Sequence, residues 1–400
     1  MANIGNEVQF NIYKQMHSPD PNRLPTRFEE WEERAREVLD DGPYDYVAGG
    51  SGGEDTVVTN REAFKRWHIV PRVFRNVEDR NLKLGLYGDM LPSPIMVAPI
   101  GVQSIIHKDG ELATAKAAAS IGVPYIASSA STHSMEEIAQ VMGDAPKWFQ
   151  LYWSSDPSIA KSFVERAEHA GYTAIVVTLD TPMMAWRELD LKNVYLPFLI
   201  GEGIGNYLTD PAFQAGLHVP PEKDSMGAIM HWSRVFGHAG LTWEDLADLK
   251  KYTSLPIILK GILHPEDAKL AIKYGADGII VSNHGGRQVD GAIAALDALP
   301  AVVEATENQI PVLMDSGIRR GADIFKALAL GAKAVLVGRP CMYGLAVAGE
   351  TGVRQVLTNL LADFDLTMAL SGCRDLNEVN KDMIIPKAWD LSKSKISYGL

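Results

Sequence analysis

The sequence predicts a closed barrel of eight parallel strands, each followed by a helix. Three observations carry this: short, continuously apolar runs recur along the chain, amphipathic stretches lie between most of them, and several of those stretches end at glycine. Unbroken apolar runs suit parallel strands covered on one face and packed on the other, whereas half-exposed strands alternate. Periodicity leaves an open doubly wound sheet as the alternative, because closure has no local signature. Eight strand–helix units in one series favour the barrel.

Taken in order, strands are expected at Ile95–Ala98, Tyr125–Ala127, Trp148–Tyr152, Ala174–Leu179, Pro256–Lys260, Gly278–Val281, Val312–Asp315 and Val335–Val337. Helices are expected at Glu111–Ser120, Ser134–Val141, Pro157–Ala170, Pro265–Tyr274 and Ala322–Leu330, with Gly122, Gly171, Gly275 and Gly331 as stop signals. Residues 1–90 form an N-terminal segment expected to be helical. There Pro25-Thr26 starts a helix with a Thr26/Glu29 capping box, and Phe28, Trp31, Ala35 and Val38 make an apolar stripe for the barrel bottom or rim. Residues 181–241 form a connection long enough to be a lid or binding loop, and we read them as an active-site lid. The tail, residues 377–400, has weak periodicity and is assigned to subunit contacts. The whole chain, 1–400, reads as one domain.

Composition narrows the function. A net charge of −12 and a pI near 5.3 argue against nucleic-acid or anionic-membrane partners, which select basic surfaces. The two cysteines, Cys341 and Cys373, form no framework, and no signal-peptide pattern or spanning run is present. The expected setting is reducing and cytoplasmic.

Polar residues and glycines gather where each predicted strand ends. They are Ala98-Pro99-Ile100-Gly101, Ser128-Ser129, Gln150 with Tyr152, Thr178 with Asp180, Lys260, Ser282-Asn283-His284-Gly285-Gly286-Arg287, Asp315-Ser316-Gly317-Ile318-Arg319 and Gly338-Arg339. In such barrels the carboxyl ends of the strands carry the chemistry. Lys260 closes an apolar run, so its ammonium needs an anion: a functional site, or a structural salt bridge. His284 among glycines reads as a base, with a satisfied loop histidine as the plain alternative. Asp180 reads as the partner of an imidazolium, or as a helix cap. The ordinary reading of Arg187, in the lid, is a solvated surface residue. The last two strand ends each pair arginine and glycine with a helix start, which makes a phosphate site.

Ser282-Asn-His-Gly-Gly-Arg-Gln288, with Lys260-Gly, Asp315-x-Gly-x-Arg319-x-Gly and Gly338-Arg-Pro, resembles the FMN-dependent L-2-hydroxy acid oxidases and dehydrogenases. The likeness runs from Tyr44 to about Asn377. Within the family the chain is most similar to the lactate 2-monooxygenases, through Tyr46-Val-Ala-Gly-Gly-Ser-Gly, Ala98-Pro-Ile-Gly101 and the lid motif Asn206-Tyr-x-Thr-Asp-Pro-x-Phe-Gln214. The resemblance implies FMN as cofactor, His284 as base, Asp180 as its stabiliser, and Arg187 and Arg287 as a carboxylate clamp aided by Tyr46, Tyr152 and Tyr207. It places Lys260 at the flavin N1–C2=O edge, Ser128, Gln150, Thr178 and Ser282 about the ring, and Ala98–Gly101 on its face. Asp315 would meet the ribityl chain, and Gly317, Arg319, Gly338 and Arg339 the phosphate. It also implies oxygen as co-substrate and a homotetramer or homo-octamer. A lysine in a barrel could instead form a Schiff base, as in aldolases, and a non-catalytic flavin carrier is the other rival. Two departures matter. Ala130 stands where glycolate oxidases carry a large aromatic, and Gly101 stands where many oxidases have alanine, which is expected to leave a methyl-sized space beside the flavin.

Overall fold

The computed structural model describes residues 3–17 and 23–387. All eight expected strands form: β1 (Ile95–Val97), β2 (Tyr125–Ser128), β3 (Lys147–Leu151), β4 (Ile175–Thr178), β5 (Ile257–Ile262), β6 (Gly278–Val281), β7 (Val312–Met314) and β8 (Val335–Val337). They pair in parallel and in chain order, and β8 returns to β1 through Val335–Ile95, so the sheet is a closed barrel. The five expected helices appear with ends displaced by a residue or so, and Ser134 caps Met135–Met142 with a full capping box to Glu137.

Strand side chains alternate inward and outward, and one inward layer is wholly apolar. Met96, Ile126, Trp148, Val176, Ile258, Ile280, Leu313 and Leu336, one from each strand, pack together on the barrel axis. Two residues further along each strand, the next inward position holds Ala98, Ser128, Gln150, Thr178, Lys260, Ser282, Asp315 or Gly338. The site is therefore the second layer of the barrel, resting on a dry plug of the first.

The other end of the plug is closed by a hairpin, Leu84–Leu86 with Asp89–Leu91, whose Leu86 and Leu91 join the axial cluster. Tyr87 packs edge-on to Trp148, with ring centroids 5.6 Å apart. Residues 1–90 are thus not purely helical: this hairpin and the strand Trp67–Ile69, paired with Ile384–Pro386, follow four helices. The Thr26/Glu29 capping box does not form. The helix starts at Phe28 after Arg27, with no side-chain cap, and Glu29 pairs with Arg320 instead. Trp31 and Ala35 are buried as expected, but Val38 is exposed. The helix packs on the rim, where Phe28 meets Tyr343 and lies under Arg319. Of the C-terminal tail, Ile384–Pro386 is used within the chain, and 388–400 lie outside the described residues.

The long connection is not one uniform lid. Its middle is bolted down: Asn206, Tyr207, Asp210 and Phe213 are fully buried. The Asn206 amide donates to the carbonyls of Ser128 and Ser129 and accepts from the Met135 N–H, while Arg166 pairs with Asp210 at 2.9 Å. The parts that cover the site lie on either side of this anchor.

Candidate active site

A tight turn after β6 presents His284. Residues 284, 285 and 286 all have positive φ (58°, 65° and 79°), a run that only glycine-rich sequence sustains. A Cβ at Gly286 would strike the backbone of Val57 at 2.7 Å, so glycine is a steric requirement there, while Gly285 is favoured by its φ of 65°. The His284 Nδ1 lies 2.7 Å from Asp180 Oδ1, and Thr181 Oγ1 lies 3.1 Å from the same oxygen. Nδ1 is therefore the protonated nitrogen, donating to the carboxylate, and Nε2 is left as a free base 3.4 Å from the Tyr152 hydroxyl. Burial pushes the imidazole below its ordinary pKa, against the opposing pull of Asp180, so the resting base is neutral. Asp180 caps no helix. Burial would raise its carboxyl, but His284 first, then Lys260, and the hydrogen bonds from His284 and Thr181 outweigh that and hold it at about 2.

Lys260 sits at a bulge in the β5–β6 ladder, where Gly261 takes φ 107°. Bulges re-aim side chains, and here the ammonium is turned to the barrel axis. It donates to Ser282 Oγ at 3.0 Å and stands 3.4 Å from Asp315 and 3.8 Å from Asp180. Burial opposes its charge, yet the two carboxylates win and raise its pKa. A lysine this firmly protonated is no amine nucleophile, which removes the Schiff-base reading. Around the mouth, Ser128 Oγ donates to Gln150 and the Gln150 amide donates to Thr178, both at 2.9 Å. These three side chains form one hydrogen-bonded row along β2, β3 and β4.

Three arginines ring the remaining wall, and their hydrogen bonds go to backbone carbonyls rather than carboxylates. Arg287 serves Tyr46 and Gly49, Arg339 serves Val47, Gly49 and Gly285, and Arg319 serves Ile318. Burial, then mutual repulsion, lowers Arg287 to about 9 and Arg319 to about 10; Arg339 is lowered too. Half-buried cations without carboxylate partners suit the binding of anions.

Lys260, His284 and the three arginines line one groove of about 1250 Å³, counting its open mouth, whereas Ser128, Gln150, Thr178, Asp180 and Ser282 are not among its lining residues. Ala98, Pro99, Ile100, Gly101 and Ala130 form one wall; Tyr46, Tyr152, Arg187, His284 and Arg287 cluster together; Asp315, Gly317, Arg319, Gly338 and Arg339 continue it. Leu196, Phe198, Phe236 and Met184 come from the 181–241 connection. Sequence reasoning gave these no role, nor Thr181 and Gln288, while Ser316 was among the polar residues expected at the strand ends. Gln288 was within reach, as it closes the quoted motif: its amide donates to the Asp180 carbonyl while its oxygen accepts from Arg187. Tyr207 does not line the groove. It is buried among Phe163, Phe213, Trp232 and Phe236, behind the wall. Gly101 also needs correction. A Cβ there would lie 2.5 Å from the Ala130 carbonyl oxygen, so the β2 loop fills the expected methyl-sized space.

A profile described as FMN-dependent dehydrogenase matches residues 35–386. The chain belongs to this family. It is 47% identical over 349 residues to an L-lactate oxidase of Lysinibacillus sphaericus (strain C3-41), covering 87% of this chain and 90% of that one. It is 42% identical to a glycolate oxidase of Spinacia oleracea, covering 92% and 98%. A crystal structure of mandelate oxidase superposes with a TM-score of 0.81 at 40% identity, over 91% of this chain and 99% of that one. The enzyme is an FMN-dependent oxidoreductase, and the groove fits the cofactor. Lys260, His284 and the Ala98–Gly101 wall lining the groove suit a flat heteroaromatic ring, and Arg319 and Arg339 beside Gly338, without carboxylate partners, suit a phosphate. No helix among the described residues is long and apolar enough to cross a membrane.

Proposed function

We propose that the chain oxidises small L-2-hydroxy acids, L-lactate foremost, and acts as a lactate 2-monooxygenase, turning lactate and oxygen into acetate, carbon dioxide and water. The observation that carries this reading is the aromatic ceiling of the groove. Phe198 stacks on Trp232 at 4.6 Å, Trp232 lies 4.7 Å from Phe236, and Phe236 lies 5.3 Å from Tyr152, whose hydroxyl faces the base. Aromatic packing of this kind stiffens the Phe198 and Phe236 wall of the groove, which favours holding a keto acid beside the base.

FMN bound in the groove supplies the two-electron acceptor. The neutral Nε2 of His284 takes the substrate hydroxyl proton, and ionised Asp180 stabilises the imidazolium that results. Arg287 and Arg187 grip the substrate carboxylate, with Tyr46 and Tyr152 as further donors. Lys260 offers a fixed positive charge where electrons arrive. Ala130 and the short apolar walls suit a methyl-sized substituent. With the lid shut, pyruvate stays beside the hydrogen peroxide formed from oxygen, and the two react to acetate, carbon dioxide and water.

The second reading is an oxidase that releases keto acid and peroxide. The relatives favour it, since L-lactate oxidases of Lysinibacillus sphaericus and Nostoc sp. are 47% and 42% identical to this chain. The filled space at Gly101 also removes one reason for product retention. Product analysis with L-lactate in air decides: we expect acetate with little peroxide, and stoichiometric pyruvate and peroxide establish the oxidase. We further propose a cytoplasmic homotetramer or homo-octamer. Cys341 and Cys373 are buried free thiols that suit a reducing compartment, and Val73 and Phe74 stand fully out from the surface.

A further inference from the structure

Glu202, in the lid, points away from every role assigned so far, and its carboxylate is gripped by two hydroxyls from two different barrel loops. Ser104, in the loop after β1, donates to Glu202 Oε2, and Thr132, in the loop after β2, lies 3.3 Å from the same oxygen. The two hydroxyls also meet each other at 2.7 Å, and the Gly203 N–H donates to Thr132 at 3.0 Å. Beneath this knot, the fully buried Glu111 accepts from the backbone N–H groups of Gln103 and Thr132, at 2.9 and 3.2 Å, and so fixes the two loops to each other.

Each of the three tied segments supplies part of the groove wall: Val102 from the first loop, Ala130 from the second, and Phe198 from the lid. Their approach is close. A Cβ at Gly203 would lie 2.7 Å from Val102, 2.8 Å from Phe198 and 3.0 Å from the Ala130 carbonyl, so only glycine lets the lid sit this low. Val102 itself is held at φ 59°, a conformation costly for a β-branched residue that persists only where its surroundings impose it.

We infer that Glu202 is a positioning residue: with Ser104 and Thr132 it latches the lid over the substrate end of the groove and sets how long the keto product stays. The inference deepens the monooxygenase reading but does not depend on it, because an oxidase also has a product to release. Opening the lid must break the bond from Ser104 to the carboxylate and the Thr132 contact beside it together. Glu202 is half-buried at the rim, so its loss should open the lid without disturbing His284 or the arginines.

The test uses holoenzyme and the acid that reduces the flavin fastest among glycolate, L-lactate and mandelate. The dissociation rate of the matching keto acid from the oxidised enzyme is followed by the flavin spectrum, and flavin reduction is measured anaerobically at saturating substrate. For Glu202→Ala we expect dissociation at least tenfold faster with reduction within twofold of the parent. Glu202→Gln, which keeps one acceptor, should fall between. Thr132→Val provides a second variant that removes a hydroxyl from the knot while leaving the lid sequence intact, and its dissociation rate should rise too. Unchanged dissociation in Glu202→Ala and Thr132→Val overturns the latch, as does a rise matched by an equal loss of reduction. Pyruvate and peroxide from the parent enzyme would reject the monooxygenase reading alone and leave the latch standing on its dissociation rates.

Discussion

At one end of the groove, Lys260 lies between Asp180 and Asp315, and His284 leans on Asp180, so the ammonium has its counter-ions within the protein. At the other, Arg319 and Arg339 are half-buried, with only carbonyl oxygens as hydrogen-bond partners. The same burial has opposite outcomes. It fails to discharge Lys260, whose carboxylates hold its pKa up, and it drags Arg319 down to about 10. The first end is a finished electrostatic unit poised for chemistry. The second is incomplete until an anion arrives, which is the signature of a binding end. Variants should therefore separate into those that lose catalysis and keep cofactor, and those that do the reverse.

The largest effect belongs to His284→Gln, expected to slow flavin reduction by about 10²–10⁴-fold while the purified protein stays yellow. Reduction at the parent rate would remove His284 from the mechanism. The pH dependence has a definite sign. Burial lowers the imidazole's pKa, so the active neutral base persists to lower pH than an ordinary histidine, and the acid limb of kcat/KM should lie below the usual histidine range. Asp180 opposes that lowering, so Asp180→Asn should move the limb lower still, besides slowing turnover. A limb that moves upward contradicts the pairing.

Lys260→Met comes next. It leaves two buried carboxylates without their shared cation, a loss of about 3–5 kcal/mol in stability, together with slower flavin reduction. In the parent, Asp180 is depressed to about 2, so its contribution to stability is present above its ordinary pKa near 3.8 and is lost as pH falls between the two. Without Lys260 the depression shrinks, and acid titration of the variant should show a shallower loss in that window. An unaltered acid limb would mean that Lys260 does not govern Asp180.

Arg319→Ala tests the other end. Losing a charge-assisted contact of about 1.5–3 kcal/mol should weaken FMN binding by roughly 10–100-fold. Saturated with cofactor, the variant should reduce at close to the parent rate. A reduction defect that added FMN does not repair would erase the distinction between the two ends.

How much of this was legible follows from period and spacing. The polar layer at the mouth was readable because a strand's side chains repeat every second residue: Lys260 follows Ile258 and Gln150 follows Trp148 at that interval. The hairpin Leu84–Leu91 was not readable. Its strands are three residues each, and its inward Leu86 and Leu91 gain meaning only once the barrel exists for them to plug. Tyr207 was misplaced for a related reason: a tyrosine in a lid motif looks like a substrate contact until Asn206 and Asp210 are seen to anchor that stretch. The Thr26/Glu29 box failed because the helix begins one residue later than expected, with Arg27 at the N-cap, so neither Thr26 nor Glu29 stands where a box needs it.

Gly101 lies on the wall between the two ends and should give the smallest effect. Had a methyl-sized space existed there, Gly101→Ala would crowd the ligand directly and leave stability alone. The geometry argues otherwise, since the new Cβ would sit 2.5 Å from the Ala130 carbonyl and 3.0 Å from its Cβ. The obstacle is backbone, and that backbone accepts the Val102 N–H at 3.0 Å, so the strained loop after β1 and the loop after β2 must part together. Overpacking of this kind costs about 1–3 kcal/mol. The expected result is a lowered Tm and faster release of the keto acid, because moving the Ala130 loop loosens Thr132 and the lid above it. FMN affinity should hold, as Arg319 and Arg339 lie elsewhere. A variant with parent Tm but altered product release would show that the methyl does reach the ligand, and that Gly101 acts on the chemistry directly rather than through the loop it leans on.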